Sequence, residues 1–416
     1  MSTDNMIVGL DIGTTKISVI IAEMTTEGSA NIVGVGFHPS TGMRRGVVVN
    51  IDKTTEAIEH AVEQAERMAG VEVMSVFAGI AGDHIRSINS KGVIAVSREK
   101  GKPHANEISQ RDVDRVIDAA KAVALPMDRE VLHVLPQEFI VDNQEGVKDP
   151  IGMSGVRLEA DVHIITGAVT SAQNIYRCVK KTGISVRDLV LEPLASSYAV
   201  LSPDEKELGV GLLDFGGGTT DIAIFYNGSI RHTSVIGFGG EYVTRDIALG
   251  LKTPLDQAES IKLEHGCACE SRARGDQVLS IPGVGGRPPR EVSRSVLASI
   301  IQPRVQEIFE LALHEIRNSG CYDLLTTGIV LTGGSALLEG IDELAEEVFG
   351  LPVKIGRPSG LGGLMEAASS PIHATSVGLV LYGMAHSHQN GAFRGDDSKI
   401  FQKIFHRMKQ WFDDFF

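Results

Sequence analysis

The stretch VGLDIGTTKISV (Val8–Val19) decides how the chain is interpreted, because LLDFGGGTTDIAI (Leu212–Ile224) repeats its pattern about 200 residues later. Each stretch has an apolar run containing an Asp, a glycine-rich turn with paired threonines, and a second run of alternating apolar residues. The repetition predicts two β-hairpins in two similar structural units. Glycine lets a turn approach a ligand closely, and successive backbone N–H groups in such a turn can bind phosphate.

The two hairpins together predict a site for a polyphosphate and a cation. Hydroxyls of the paired threonines and the ammonium of Lys16 add hydrogen-bond donors for phosphate. Asp11 and Asp214 lie just before the two turns, where two carboxylates would repel a polyphosphate unless a cation lay between them. Mg²⁺ held largely through its water ligands would fit this pattern. The alternative is two ordinary hairpins whose carboxylates only accept N–H groups of their own turns.

Composition and charge narrow the class of protein. The chain has 416 residues, 43% of them hydrophobic, and a formal net charge of −14. Its length is typical of about two to three domains, and its acidic balance argues against nucleic-acid binding. The four cysteines form no C-x-x-C pair, so neither a zinc site nor a disulfide framework is predicted. The N-terminus lacks a secretion signal and no apolar window reaches ~18 residues, which predicts a protein on the cytoplasmic side.

Strand-like and helical segments alternate along the chain, which predicts an α/β protein. Helices are predicted over Thr54–Ala69 and from a capping box that begins at Ser109. Residues ~84–165 and ~236–325 have patterns of their own and are predicted to be smaller insertions, the first with a loop over Gln144–Gly155. The expected plan is therefore two larger subdomains, each carrying a smaller one.

A third glycine-rich turn lies in GIVLTGGS (Gly328–Ser335). It follows an apolar strand and precedes a helix predicted over Ala336–Phe349, so it could approach a flat base or hold a phosphate at the helix N-terminus. Glu259 and Lys262 lie three residues apart on one face of another predicted helix, and taken alone they indicate a solvated ion pair. Neither feature by itself establishes a ligand.

Five segments, taken in chain order, are similar to the nucleotide-site motifs of the actin/Hsp70/sugar-kinase superfamily. They are DIGTTK (Asp11–Lys16), LEPLASSYAVL (Leu191–Leu201), DFGGGTTD (Asp214–Asp221), IVLTGGS (Ile329–Ser335) and ATSVGLVLYG (Ala374–Gly383). Within this superfamily, the whole chain resembles the FtsA family of bacterial cell-division proteins. Further segments similar to that family are VLHVLPQEF (Val131–Phe139), SGVRLEADVHIIT (Ser154–Thr166), LEHGCA (Leu263–Ala268) and GGRPPR (Gly285–Arg290).

This resemblance implies an actin-like fold, with duplicated ribonuclease H-like subdomains, two smaller insertion subdomains and a C-terminal amphipathic helix. In the family, the first insertion replaces the corresponding subdomain of actin and lies in a different position. The implied division is subdomain 1A (1–83, 166–200 and part of 370–385), 1C (84–165), 2A (201–235 and 326–385), 2B (236–325), a flexible linker (386–398) and a membrane-targeting helix (399–416).

The resemblance also implies roles for individual residues in a site for ATP or ADP with Mg²⁺. Asp11 and Asp214 would face the metal ion, mostly through water. Glu192 would orient an attacking water, or would simply accept backbone N–H groups beside Pro193, so turnover is expected to be slow at most. The phosphate-binding residues would be Gly13, Thr14, Thr15, Lys16, Gly216, Gly217, Gly218 and Thr219. The nucleoside-binding residues would be Glu259, Lys262, Gly333, Gly334 and Ser335.

Members of this family form filaments and recruit the tubulin-like ring protein FtsZ, so the resemblance implies the same functions here. The C-terminal tail of FtsZ would bind subdomain 2B, and the cytoplasmic tail of a later division protein such as FtsN would bind near subdomain 1C. The expected location is the cytoplasmic face of the bacterial inner membrane at the septum. The alternative is a metabolic kinase or chaperone-like ATPase of the same superfamily, although no peptide-binding β-domain follows the nucleotide fold.

The C-terminal segment KIFQKIFHRMKQWFDDFF (Lys399–Phe416) predicts an amphipathic helix. At ~100° per residue its apolar and polar residues fall on opposite sides, which suits a helix lying in the plane of a membrane. Lys403 and Arg407 would add attraction to anionic lipids. Docking on the protein body or on a partner helix is the alternative, which the polar linker before the segment disfavours. The apolar side comprises Ile400, Phe401, Ile404, Phe405, Met408, Trp411, Phe412, Phe415 and Phe416.

Overall fold

The structure is a computed structural model that describes residues 5–26, 28–97, 106–273, 277–281 and 289–387. Its strands are β1 (Met6–Ile12), β2 (Lys16–Met24), β3 (Ala30–Pro39), β4 (Met43–Arg44), β5 (Val47–Val48), β6 (Ser75–Ile80), β7 (Arg86–Ala95), β8 (Arg129–Val141), β9 (Gln144–Val147), β10 (Arg157–Ala168), β11 (Ser185–Leu191), β12 (Val210–Phe215), β13 (Thr220–Tyr226), β14 (Ser229–Ile236), β15 (Val278–Ile281), β16 (Arg290–Ser293), β17 (Ile329–Thr332), β18 (Val353–Ile355) and β19 (Gly362–Gly363). Its α-helices are α1 (Ile51–Ala69), α2 (Gln110–Lys121), α3 (Val169–Lys181), α4 (Glu192–Val200), α5 (Pro203–Leu208), α6 (Gly240–Leu251), α7 (Leu255–His265), α8 (Arg294–Asn318), α9 (Ile341–Phe349), α10 (Met365–Ala368) and α11 (Ala374–Ser387).

Two sheets repeat one topology, as the duplicated hairpins predict. In the first half of the fold the strand order is β11-β6-β1-β2-β3-β19, and in the second it is β14-β13-β12-β17-β18. Each sheet starts as an antiparallel meander (β1-β2-β3 and β12-β13-β14) and continues from its first strand to a parallel one (β6 and β17). The predicted α/β fold with duplicated subdomains is confirmed by this arrangement.

Helices cover both faces of the first sheet because glycines let them approach. A Cβ on Gly36 would lie 1.9 Å from the carbonyl oxygen of Ala61 on α1, and a Cβ on Gly9 would lie 2.4 Å from that of Ser376 on α11. The pairing register puts Gly9 and Gly36 on opposite faces, so α1 and α11 sandwich the sheet. All seven residues of β1 are buried in consequence.

A separate four-stranded sheet, of order β7-β10-β8-β9, lies between β6 and α3 in the chain. Helix α2 covers this sheet, and the helix and the sheet together form a separate apolar core. The capping box predicted at Ser109 is present, since Asp112 accepts from the Ser109 backbone N–H at 3.1 Å. The segment Gln144–Gly155 is not wholly a loop as predicted, because its first four residues form β9 on the edge of this sheet.

Two further predictions differ from the structure. The single helix predicted over Ala336–Phe349 is wrong, because Gly340 adopts a φ of +73° and separates a short 3₁₀ turn from α9. Helix α11 reaches Ser387, past the predicted start of the linker at residue 386. His386 stacks on Tyr382, one helical turn earlier, with ring centroids 4.0 Å apart.

The predicted amphipathic helix Lys399–Phe416 and residues 388–398 of the linker lie outside the described residues. Within the ranges that are described, no helix has both the length and the apolar character needed to cross a bilayer.

Candidate nucleotide-binding site

The turns of the two predicted hairpins face each other around a cavity of about 240 Å³. The β1–β2 turn contributes one wall, the β12–β13 turn contributes the other, and α7 and the turn after β17 complete the lining. The cavity brings together Asp11, Gly13, Thr14, Thr15, Lys16, Glu192, Asp214, Gly216, Gly217, Gly218, Thr219, Glu259, Lys262, Gly333, Gly334 and Ser335. These are all the residues that the sequence predicts for the nucleotide and its metal ion.

The glycines of the second turn are required by contact between the two turns. A Cβ on Gly217 would lie 2.3 Å from Thr15 Cγ2, and a Cβ on Gly218 would lie 2.4 Å from Thr14 Oγ1. Real Cβ atoms do not come so close to other atoms, so any side chain here would push the walls apart. From the sequence, these glycines are predicted to let a ligand approach the turn closely. The structure shows that they also let the two turns approach each other.

The first turn contains its own ion pair. Lys16 Nζ lies 3.1 Å from Asp11 Oδ2, and the Asp11 side chain is buried. The neighbouring Thr14 Oγ1 accepts a hydrogen bond from the Gly46 backbone N–H at 3.0 Å, which ties the turn to the β4–β5 hairpin. The charge of Asp11 is therefore compensated within the first half of the fold.

The second turn carries two carboxylates on paired strand positions, Asp214 and Asp221. Asp214 Oδ2 accepts hydrogen bonds from Ser196 Oγ at 2.8 Å and from Thr375 Oγ1 at 3.2 Å. Asp221 Oδ2 accepts from Thr219 Oγ1 at 2.8 Å, while Oδ1 is buried and has no hydrogen-bond partner within the described part of the chain.

Sequence reasoning missed Ser196, Thr375 and Asp221 as members of the site. All three lie inside the segments that carry the resemblance, namely LEPLASSYAVL, ATSVGLVLYG and DFGGGTTD. A hydroxyl in an otherwise apolar segment is the signal that could have found the first two, because a buried hydroxyl needs a hydrogen-bond partner. For Asp221 the signal is its place directly after the paired threonines.

Burial makes the carboxylates of this wall hard to ionise. It raises the pKa of Asp221 to about 8, with the nearby charge of Asp214 adding to the effect. Burial likewise raises the pKa of Asp214, and hydrogen bonds from Ser196 partly oppose the shift. The pKa of Glu192 is raised well above its usual range, first by burial and then by the charge of Asp11. A cation near these groups would relieve both the desolvation and the mutual repulsion.

The donor set fits a magnesium ion held mainly through water. Over the described residues, no group of three His, Cys, Asp or Glu side chains converges closely enough to hold a metal ion directly. Mg²⁺ keeps several of its waters and usually takes one or two carboxylates together with substrate phosphates. The unpartnered Asp221 Oδ1 and the hydroxyl-bound Asp214 offer oxygens of the required kind beside the phosphate-sized space.

Glu259 and Lys262 share one face of α7, as predicted, and form an ion pair with 2.8 Å between Oε2 and Nζ. Lys262 Nζ also donates to the carbonyl oxygen of Gly240 at 3.2 Å and to Thr244 Oγ1 at 2.9 Å. Lys262 is buried, so the simple reading of a solvated pair does not hold for the lysine. The pair instead fixes α7 to α6 at the edge of the cavity.

The turn after β17 meets the second hairpin directly. Ser335 Oγ donates to the carbonyl oxygen of Gly216 at 3.1 Å, and a Cβ on Gly333 would lie 2.5 Å from Asp214 Oδ1. Gly333 also has a φ of +88°, which disfavours any other residue there. A short 3₁₀ turn begins at Gly334, but the α-helix begins only at Ile341, so the α-helix N-terminus in one of the two predicted alternatives does not lie at this turn in the described structure.

Glu192 opens α4 with its side chain in the cavity. A Cβ on Gly79 would lie 3.0 Å from Glu192 Cγ, so this glycine makes room for the side chain. The alternative interpretation was that the Glu192 carboxylate accepts backbone N–H groups. Among the described residues, the structure shows no hydrogen bond donated to this carboxylate.

Solved structures place this architecture in a known class. A chain of the PilM–PilN type IV pilus biogenesis complex matches with a TM-score of 0.67 and 14% identity, covering 91% of this chain and 98% of its own. MreB5 of Spiroplasma citri bound to ADP matches with a TM-score of 0.58 and 15% identity, covering 94% of this chain and 100% of its own. The molecule has the actin-like fold.

Sequence comparison is more specific than the fold. The family model for cell division protein FtsA matches residues 211–378, and that for the SHS2 domain inserted in FtsA matches residues 82–166. Cell division protein FtsA of Pseudomonas aeruginosa is 49% identical over 418 aligned positions, which cover 99% of this chain and 98% of that protein. The chain belongs to the FtsA family of actin-like cell-division proteins.

Proposed function

We propose that the cavity between the two hairpins binds ATP or ADP together with Mg²⁺. The observation that carries this is the convergence of two glycine and threonine turns from duplicated subdomains on one space, beside buried carboxylates. The turns supply backbone N–H groups and hydroxyls for the phosphates, and Lys16 supplies a positive charge. The ADP in the related fold of Spiroplasma citri MreB5 supports a nucleotide as the ligand.

The roles within this site follow from position. Glu259, Lys262 and the Gly333–Ser335 turn would bind the nucleoside, and Asp11 and Asp214 would face a hydrated metal ion that screens the phosphates from the carboxylates; all of these residues line the cavity. Mg²⁺ would supply electrostatic stabilisation of the phosphates when it is bound. Glu192 is the candidate for orienting water, but its raised pKa favours the protonated carboxyl, which cannot accept a proton, so the nucleotide would act mainly to hold the two halves together and would turn over slowly at most.

We further propose that the protein is a membrane adaptor for the division ring. The amphipathic segment Lys399–Phe416 would lie in the plane of the inner membrane, on its cytoplasmic face at the septum. A single helix of this kind binds reversibly, so filaments of the protein would gain strong attachment by presenting many helices at once.

The partners in this proposal are assigned to separate subdomains. Subdomain 2B (236–325) would bind the C-terminal tail of FtsZ, and the cytoplasmic tail of a later protein such as FtsN would bind near subdomain 1C (84–165). Subdomains 1A (1–83, 166–200 and part of 370–385) and 2A (201–235 and 326–385) would hold the nucleotide. The family match supports a role in division, and the inserted domain is itself a matched unit.

Two measurements test this function. Titration calorimetry with ATP and Mg²⁺ should detect binding to the full chain, and no heat under conditions where the protein is folded would refute the nucleotide site. Co-sedimentation with anionic vesicles should be lost when residues 399–416 are deleted, while nucleotide binding is retained. A truncated protein that still sediments with the vesicles would refute the membrane role.

Negative-stain imaging with ATP and lipid tests the alternative function. Dispersed monomers with fast turnover would favour a metabolic kinase or chaperone-like ATPase.

A further inference from the structure

A second contact between the two halves of the molecule lies where the inserted sheet meets β14. This strand is the outermost one of its five-stranded sheet, so one of its edges has no partner within that sheet. Side chains of the inserted sheet bind carbonyl oxygens of β14. Gln137 Nε2 donates to Ile230 O at 2.8 Å, and Ser87 Oγ donates to Thr233 O at 2.8 Å. We call this polar contact the β14 interface.

The centre of the β14 interface is buried. His163 and Thr233 are 1% and 4% exposed, and His163 Nε2 lies 3.0 Å from Thr233 Oγ1. His163 Nδ1 lies 2.6 Å from Asn89 Oδ1, which can only accept a hydrogen bond. The neutral imidazole therefore donates from Nδ1 and accepts the Thr233 hydroxyl at Nε2, so both ring nitrogens of His163 have hydrogen-bond partners when the two sheets are in contact.

Strand β8 contacts both halves of the fold. Gln137 on β8 reaches β14 in the second half, and His133 on the same strand accepts the backbone N–H of Leu191 at Nε2, at 3.0 Å. Leu191 directly precedes Glu192 in the first half. The two contacts are four residues apart, or about 13 Å along a strand. β8 thus connects the two halves of the fold through one side-chain hydrogen bond to each.

The contact between β8 and β14 is connected in turn to the β12–β13 turn of the cavity. β14 ends at Ile236, and the chain then runs to α6, where the backbone N–H of Gly240 donates to Gly216 O at 3.0 Å and that of Glu241 donates to Gly217 O at 2.8 Å. A displacement of the second turn relative to the first would therefore be passed through β14 to the interface with the inserted sheet.

We propose that the inserted domain remains attached to the first half and engages β14 only when the cavity closes around a nucleotide. Both ends of the inserted domain continue into the first half, through β6 and α3, whereas its contacts with β14 are noncovalent and include hydrogen bonds that water can replace when the sheets separate. Separation on that side is therefore the less costly of the two. Nucleotide occupancy then sets the position of the inserted domain, and this inference rests on the nucleotide-binding function proposed above.

Hydrogen exchange on the full chain, with and without ATP and Mg²⁺, tests the coupling. Nucleotide should slow exchange at residues 133–141 and 229–236 by tenfold or more. Gln137→Ala should remove this effect at 133–141 and, because coupling is reciprocal, should weaken ATP binding three- to tenfold. Ser87→Ala removes the second hydrogen bond and should act in the same direction. Gln144→Ala, on the exposed face of β9, is the matched control and should change neither quantity.

The outcomes separate this inference from the nucleotide function. If the unaltered chain binds ATP but exchange at 229–236 does not respond, or if Gln137→Ala and Ser87→Ala behave like Gln144→Ala, the coupling is refuted and the nucleotide site stands. If the unaltered chain binds no nucleotide, the proposed function is refuted and the coupling with it.

Discussion

The two hairpin turns that face each other across the cavity share a backbone plan but differ in charge. In the first turn the ammonium of Lys16 lies beside Asp11, so the carboxylate has its cation built in. In the second turn Asp214 and Asp221 lie on paired strand positions, and the hydrogen bonds they receive from described residues come from hydroxyls. The two turns therefore match in backbone geometry, but among the described residues only the first has a cationic side chain paired with its carboxylate.

The largest expected effect comes from separating the two turns. Gly218→Ala places a Cβ 2.4 Å from Thr14 Oγ1, so we expect ATP affinity to fall by at least 100-fold, with a loss of stability of about 1–3 kcal/mol. Gly216→Ala is the matched control, since its Cβ would lie 3.2 Å from Thr219 O within the same turn, and it should cost less than tenfold. Calorimetry and thermal unfolding measure both. Equal affinities for the two variants would show that turn contact does not shape the site.

The metal dependence of the second turn is tested by Asp214→Asn, which keeps the size of the side chain but removes its charge. We expect ATP affinity in the presence of Mg²⁺ to fall between ten- and 100-fold, because the charge that attracts the hydrated ion is lost. Affinity measured with EDTA should change less than threefold. Asp118→Asn, on an exposed face of α2, is the control. A parallel loss under both conditions would assign Asp214 a structural role only.

The built-in ion pair of the first turn is tested by Lys16→Met. Loss of this charge should weaken ATP binding by about tenfold and leave Asp11 as an unpaired buried carboxylate. Asp11→Asn in the same chain should restore part of the stability that Lys16→Met removes, and thermal unfolding of the four proteins of this double-mutant cycle measures the coupling. Additive effects would mean that the two side chains do not interact.

The smallest expected effect is a dependence of stability on pH. Between about pH 4 and 8, Asp221 is protonated in the folded protein, where its pKa is about 8, and ionised in the unfolded chain. The folded state therefore binds more protons, so this contribution is fully present at low pH and is lost as the pH rises through 8. Asp221→Asn does not titrate, so without nucleotide its stability relative to the unaltered chain should rise by about 1 kcal/mol between pH 7 and 8. Denaturant unfolding at several pH values measures this, and a constant difference would contradict it.

The sequence predicted those features of the site that depend on local pattern. The repeated hairpins predicted the duplicated fold with facing turns, and the resemblance to a known nucleotide site grouped the residues of the glycine-rich motifs. The Glu259–Lys262 pair was found in the same way, from helical spacing.

Features that depend on packing between distant segments were not predictable. Ser196 and Thr375 reach Asp214 from α4 and α11, which lie 18 and 161 residues away along the chain. The break before α9 depends on the φ of +73° at Gly340, and periodic apolar residues on both sides of it gave no sign of a change in direction. Strand β9 is short and lies at a sheet edge, where apolar alternation is weakest.

Helix α11 has a consequence for the order in which the protein can fold during translation. The N-terminal sheet receives β19 beside β3 and is covered by α11, so its completion awaits the last described residues of the chain. Strands β12, β13, β14, β17 and β18, which form the second sheet, leave the ribosome within one continuous segment and can pair earlier. Nascent chains stalled before Ala374 should therefore carry a protease-resistant second half and an N-terminal half that is still susceptible to protease. The part of the chain that is synthesised first would then be the last to complete its folding.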